Sequence, residues 1–358
     1  MPTLRELTEY CDARTARAGI VDFPGAVNGL QVENDGNVAK IGAAVDAGLR
    51  VFEEAARRGI DFLIVHHGLF WQPQQPMTGT VFRKFKTCFD ANLAVYGCHL
   101  PLDAHREIGN NAVLARELGL SVLSWELEFN GTAFAAVCRG IPRAELAARL
   151  RRLFPETFRA IECGSENPER IAILSGSGNA AVPALASLGC DTLVTGEIKE
   201  ENFVRAQDEN LNLYPCGHYA TERAGVCALA AELSAAYVVA NEPGPILWLT
   251  AKDDDAKTEG ESRLLPLFEH CRPVSDIFPA DPDKKRLTSV FFSNGATLWI
   301  RGANNRRNLQ SRTIRWLFGD ECWLWPPGRL TEAKSRVAAY GRRGKCVFFS
   351  QGSREGDD

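Results

Sequence analysis

The chain has 358 residues, 45% of them apolar, and its 41 basic and 45 acidic side chains leave a formal net charge of −4. That length predicts two or three domains with a sizeable core, and the near-neutral balance excludes nucleic-acid binding as an inference from whole-chain charge. The balance is uneven, because residues 1–235 carry 22 basic and 29 acidic side chains against 19 and 16 in residues 236–358, and five of the seven tryptophans lie in the later part. The chain therefore changes character near residue 235. Eleven scattered cysteines without a C-x-x-C pair argue against a zinc knuckle and fit buried free thiols in a reducing compartment. The N-terminus, Met1 to Glu6, has no apolar leader segment, and no apolar run approaches the roughly 18 residues of a membrane span. The expectation is a cytoplasmic protein with no membrane partner.

Taken in order, residues 3–18 predict a helix capped by Thr3, with Leu4, Leu7, Tyr10 and Cys11 at helical spacing. Strands are expected at 28–32 and 40–45. A helix over 47–58 should stop at Gly59. Phe62-Leu63-Ile64-Val65 is apolar without alternation, the pattern of a strand covered on both faces of a parallel sheet. His66 and His67 stand at its C-terminal end, where open α/β sheets place their ligand crevice. A helix over 81–91, a strand over 93–96, a loop from Cys98 to His105 and a helix over about 112–117 follow. Strands and helices are expected to alternate over 121–175. The strand Ile171 to Leu174 runs into the Gly-rich segment Ser175 to Gly178 and a helix over about 181–188.

The chain also repeats itself. Gly59 to His67 aligns without gaps with Gly189 to Glu197, and Asn92 to His99 resembles Asn210 to Gly217 with a one-residue slip at its start. The repeat puts His66, His67 and Glu197 at equivalent strand ends, and Asp103 beside His218 and Glu222 at the other equivalent pair. The first copy has about a dozen extra aromatic and proline-rich residues around Phe70 to Val81, a candidate cover. Imidazole and carboxylate together suit zinc, iron, manganese or nickel. Adjacent histidines on an extended end diverge, which favours two neighbouring metals over one. His218 and Glu222 are four apart and share a helix face; Glu222 has two oxygens with which to bridge, and Asp103 adds a terminal carboxylate. A lone strand-end histidine is more often a satisfied polar residue than a ligand, but adjacency and the repeat weigh against that here. His99 and His105 are weaker candidates, one of them suited to a supporting hydrogen bond, and His270 reads as structural or exposed.

The segments VHHGLFW, GCHLPLDAH followed by GNN, TGE and GHYATE resemble, in order and spacing, the NGG-interacting factor 3-like proteins, also labelled GTP cyclohydrolase 1 type 2 homologues. The resemblance covers about residues 3–235. It implies two intertwined, repeat-related α/β lobes (about 1–120 plus 218–235, and 121–217) with a dinuclear metal site between them. His67 and Asp103 would hold one divalent ion, His66 and His218 the other, and Glu222 would bridge. It also implies a toroidal homo-hexamer and a small-molecule substrate. The reaction expected is hydrolysis with a metal-bridging hydroxide as nucleophile, GTP ring opening being one example. The Ser175 to Gly178 segment offers backbone amides to a phosphate, although a lone glycine loop is more often a tight turn. The alternative is a non-catalytic metal-binding or interaction protein.

Residues 236–358 fall outside that pattern. Pro245 to Leu249 predicts a buried strand, Lys252 to Asp255 an acidic turn, then a helix to about Phe268, strands at 288–292 and 297–300, a strand from Ile314 ending in Asp320-Glu321, and a last strand at 345–350. This segment resembles the middle of a phage terminase large-subunit ATPase domain. Asp320-Glu321 match its magnesium-binding acid pair, and Ser350 to Ser353 its coupling motif. No G-x-x-x-x-G-K-[ST] occurs anywhere in the chain, so the triphosphate lacks its cradle. The expectation is an incomplete α/β P-loop-ATPase-like segment of low stability and without ATPase activity. Its eleven basic residues between Arg301 and Lys345 leave nucleic acid as a partner only there.

Overall fold

The structure, a computed structural model of the chain, describes residues 3–349 apart from 72, 74, 271, 310–312, 321 and 323–324, with the backbone alone at 262, 270, 272–273, 339, 342–343 and 347–349. Glu321, Ser350 to Ser353 and the His270 side chain, all named above, lie outside the described residues. The chain divides into two compact units, Thr3–Val226 and the part from Cys227 onward. The division falls inside helix α8 (His218–Asn241), which also runs through the boundary expected at residue 235. By length and composition α8 is apolar enough to cross a bilayer, but 72% of its apolar window is buried.

The first unit holds two sheets. Helix α1 (Leu4–Arg14) starts with the expected Thr3 cap, closed by a reciprocal bond with Glu6. A four-stranded sheet follows in the order β1-β4-β3-β2, from β1 (Gly29–Val32), β2 (Ile41–Asp46), β3 (Phe62–His67) and β4 (Ala94–Gly97). Helices α2 (Leu49–Arg58) and α3 (Gly79–Asp90) connect its parallel strands. β3 is central and parallel to both neighbours, and Phe62 to Val65 are at most 2% exposed, as its unbroken apolar run requires.

A six-stranded sheet follows, ordered β5-β6-β8-β9-β10-β7: β5 (Val122–Phe129), β6 (Thr132–Arg139), β7 (Ile161–Glu162), β8 (Arg170–Ser177), β9 (Thr192–Glu197) and β10 (Asn212–Pro215), with helices α6 (Arg143–Leu153) and α7 (Glu201–Asp208) between them. Its side chains alternate between two cores. Ala136, Cys138, Ile171, Ile173, Val194 and Tyr214 pack on one side, and Val137, Ala172, Leu193 and Leu213 on the other. The expected strand–helix alternation fails at its start. Asn130 and Gly131, both at positive φ, make a tight hairpin that joins β5 directly to β6. The expected loop at 98–105 contains one helical turn, α4 (Leu100–Asp103), before α5 (Asn110–Glu117). The ten described cysteines are free, and burial pushes the thiols of Cys98, Cys138 and Cys216 up to about 12.

The repeat is visible in the backbone. Gly59 and Gly189 take the same left-handed conformation before β3 and β9, at φ 65° and 64°. Asn92 and Asn210 do so before β4 and β10, at 52° and 54°. Phe62 pairs Ala94 as Thr192 pairs Asn212, so the second alignment needs no slip.

The second unit has a six-stranded sheet, ordered β12-β13-β14-β11-β15-β16. β11 (Pro245–Thr250), β14 (Thr297–Gly302), β15 (Trp316–Asp320) and β16 (Lys345–Phe349) run parallel. β12 (Lys285–Arg286) and β13 (Ser289–Phe291) are antiparallel. Trp248 stacks on Phe318 at 5.3 Å, and Leu247, Leu249, Leu317, Trp325 and Val337 share a core. The supposed acidic turn is the first turn of a helix, Asp253–Glu259, where carboxylates suit the helix dipole.

Asn111 ties α5 to the second sheet. It is fully buried, donates to the Phe134 carbonyl and accepts from the Ser175 amide. Asn111→Leu strands both backbone groups. We expect about 2–6 kcal/mol lost in urea unfolding, against little change for an exposed substitution such as Glu53→Gln.

Candidate metal centre

The structure brings together the five residues singled out by sequence: His66, His67 and His218 meet Glu222, and Asp103 joins them through His66. The Glu222 carboxylate is 4% exposed and lies one helical turn after His218 in α8. Its Oε1 is 3.2 Å from His218 Nε2 and 3.7 Å from His66 Nε2, and its Oε2 is 3.3 Å from His67 Nε2. Asp103, at the end of α4, reaches His66 Nε2 with Oδ2 at 3.4 Å. The two oxygens of Glu222 thus sort His66 and His218 from His67. Asp103 sits against His66, whereas the resemblance pairs it with His67.

Each imidazole is held from behind. His66 Nδ1 is 2.9 Å from the Cys98 carbonyl and His67 Nδ1 is 2.8 Å from Asp46 Oδ1. Carbonyl and carboxylate oxygens only accept, so Nδ1 carries the hydrogen and Nε2 faces inward. Glu197 plays this part for His218, at 3.1 Å from Nδ1; the repeat brought Glu197 to the site as a supporting residue. Asp46 is the register partner of His67 across β2 and β3, so strand pairing positions it. Asn110, also buried, donates to Asp103 Oδ1 at 2.7 Å and accepts from the Gly225 amide.

The glycines of the site make room for Glu222. Gly176 has φ 64°, and a Cβ there would run into Glu222 Oε1. A Cβ on Gly196 would meet the Gly176 carbonyl and Thr221 Oγ1, so the TGE segment lets β9 lie against the start of α8. Three of the four amides of Ser175 to Gly178 are already engaged: Ser175 donates to Asn111, Gly176 to Thr221 and Gly178 to the Glu197 carbonyl. Of the two readings of that segment, the tight turn therefore fits better than the phosphate cradle. Of the extra residues after His67, Trp71 borders the site, its ring 6.0 Å from His67 and 5.0 Å from His99.

Sequence reasoning undervalued His99 and missed Asp22. The His99 ring lies 5.0 Å from that of His66 and 5.5 Å from that of His67, and Asp22 holds its Nδ1 at 2.9 Å. Asp22 lies in an irregular loop, without periodicity or motif to flag it. His105 stands apart as a structural residue, bonded to Arg14 and to the Glu107 amide.

Electrostatics shows what the cluster lacks. Burial alone would depress the His66 imidazole, but Asp103 and Glu222 outweigh it and push it well above its ordinary value. The hydrogen bond with Glu222 raises His218 to about 9, against burial. Burial likewise pushes Glu222 up, and His218 and His66 overcome it and hold it far below the carboxylate range. His67 is lowered, first by burial and then by His66. Nε2 of His66 and Oε2 of Glu222 are nevertheless buried without a hydrogen-bond partner. An imidazole nitrogen that can exchange its proton for a metal and an anionic oxygen facing the same space fit a divalent cation. Two groups have ligating atoms within 4.8 Å of one another: His66, His67 and His99, and His67, His218 and Glu222.

Histidines and a carboxylate gathered in an α/β protein at the end of a parallel strand and the start of a helix make a group that could hold a metal ion. Residues 6–242 match the Duf34/NIF3 (NGG1p interacting factor 3) family, and the chain belongs to it. Residues 218–356 match the phage terminase large subunit gpA ATPase domain. The chain is 38% identical over 234 residues to the GTP cyclohydrolase 1 type 2 homolog of Deinococcus radiodurans, spanning 64% of this chain and 86% of that protein. Its fold is similar to TTHA1606 from Thermus thermophilus, with 39% identity, a TM-score of 0.57 and coverage of 65% and 93%. It is also similar to protein ybgI, described as of unknown function, with 34% identity, a TM-score of 0.60 and coverage of 67% and 94%.

Two outcomes follow. At pH 7 the metal-free protein holds a proton on His218, because its folded value near 9 lies above the unfolded one. The stabilisation is complete below about pH 6.5 and is lost as pH rises through 9. Metal must displace that proton, so calorimetric titrations with Zn2+ in buffers of different ionisation enthalpy should reveal proton release. Gly176→Ala should lower metal content while leaving the far-ultraviolet circular dichroism intact, since its Cβ displaces the Glu222 oxygen.

Proposed function

We propose that this chain is a metal-dependent hydrolase whose site takes two divalent ions, iron, manganese, zinc or nickel, on His66, His67, Asp103, His218 and Glu222. The observation that carries this reading is the central carboxylate: Glu222 turns one oxygen to His66 and His218 and the other to His67, which is what a bridging ligand requires. When bound, such ions act as Lewis acids and make a water nucleophilic near neutral pH. The protein supplies fixed imidazoles, with Cys98, Asp46 and Glu197 behind them, and a wall formed by Trp71. The curated relative's name supports GTP ring opening as one substrate class to test.

The test is to load the full chain with Mn2+, Fe2+ or Zn2+, measure metal per chain, and follow GTP together with a panel of phosphoesters and amides. Two metals per chain and turnover of at least one substrate are expected. Glu222→Ala should stay folded, lose metal and lose turnover. Fewer than one metal per chain after both aerobic and anaerobic preparation would sink the dinuclear reading. Two tightly held metals with no turnover on any substrate would favour a metal-binding or interaction protein instead.

A further inference from the structure

Resting on that hydrolase reading, we propose that Asp22 and His99 form a carboxylate–imidazole dyad that aims the Nε2 lone pair of His99 into the site as acceptor for a hydrogen bond from the attacking water, outside the metal-ligand set. Asp22 is built for the purpose. It receives His99 Nδ1 at 2.9 Å, the Phe23 amide at 2.6 Å, the Asn28 side-chain amide at 2.7 Å and the Leu100 amide at 3.1 Å. Burial pushes its carboxyl up, but the bonds from His99, Asn28 and Phe23 outweigh that and hold it at about 2. It is therefore ionised and only accepts, which assigns the His99 hydrogen to Nδ1 and the lone pair to Nε2.

The His99 ring cannot turn away easily. Its own amide donates to Asn28 Oδ1 at 2.7 Å, and Phe23 and Trp71 flank the ring at 6.0 and 5.0 Å. The same ring faces His66 and His67. Among the described residues, however, His99 makes no ion pair with Asp103 or Glu222, the two carboxylates that His66, His67 and His218 share between them. Its ligating atom lies within 4.8 Å of those of His66 and His67, near enough to meet a water held there, and its missing contact with either carboxylate sets it apart from the other three histidines. His99 would be catalytic in that sense, and Asp22 a positioning residue acting through it.

The experiment compares wild type, His99→Gln and Asp22→Asn in the full chain by three measurements. These are nitrogen-15 shifts of labelled histidine in the metal-free protein, metal per chain, and Mn2+-supported turnover of bis(p-nitrophenyl) phosphate. We expect the Nδ1–H tautomer at His99 in wild type and a mixture in Asp22→Asn. Metal ratios should be equal in all three proteins. In His99→Gln, kcat should fall about 100-fold with KM little changed. His99→Asn replaces His99→Gln should the latter not fold. A lower metal ratio in the His99 variant would make it a ligand and overturn the proposal, as would an Nε2–H tautomer in wild type or an unchanged kcat. A wild type that binds metal but turns over neither this ester nor GTP nor any other phosphoester or amide of the panel sinks the hydrolase reading itself; turnover indifferent to His99 sinks the dyad alone.

Discussion

Burying a carboxylate costs several kcal/mol unless opposite charge and hydrogen bonds meet it. Glu222 incurs that cost at the first turn of α8, and much of the first unit is arranged around meeting it. β3 ends in two histidines so that both reach it. β9 ends in Gly196 and Glu197, one letting α8 approach and the other holding His218. β8 bends at Gly176 because any side chain there would strike Glu222. In the metal-free protein, protons on His66 and His218 balance the carboxylates. Those protons sit on the nitrogens that a cation would take, so proton and metal compete for the same lone pairs.

The central strands were legible because burial on both faces leaves an unmistakable apolar run, and a histidine pair immediately after such a run has few structural uses. The repeat was legible for a related reason. Gly59 and Gly189, like Asn92 and Asn210, occupy positions where positive φ restricts the residue type, so they persist as landmarks while the side chains between them differ. That is why the alignment found Glu197 as well as the histidines.

Other parts of the site left no such trace. Asp22 is set by a loop, and no period links it to His99 across 77 residues. Asp46 follows only once the register of β2 against β3 is known. The Ser175 to Gly178 segment left an anion loop and a tight turn both open, because glycines accompany anion loops and close approaches alike; only the partners of its amides separate the two. Reading Lys252 to Asp255 as a turn failed because clustered acids mark helix starts as well as turns.

The second unit offers an instructive contrast. Asp320, which the terminase resemblance makes a metal-binding acid, lies 3.8 Å from the guanidinium of Arg263, and Arg263 also meets Glu259 at 2.8 Å and Glu232 at 3.8 Å. Burial works against the charge on Arg263, but these three carboxylates more than restore it. Both units therefore bury several carboxylates around positive charge, and the chemistry of the positive group separates them. Imidazole gives up its proton near neutral pH and becomes a ligand with a lone pair to offer. Guanidinium does neither in a protein. A metal can replace the protons around Glu222, whereas Arg263 is a permanent counter-ion that a metal at Asp320 would have to face. Asp320 thus faces a permanent cation, whereas the groups around Glu222 carry protons that a metal can replace.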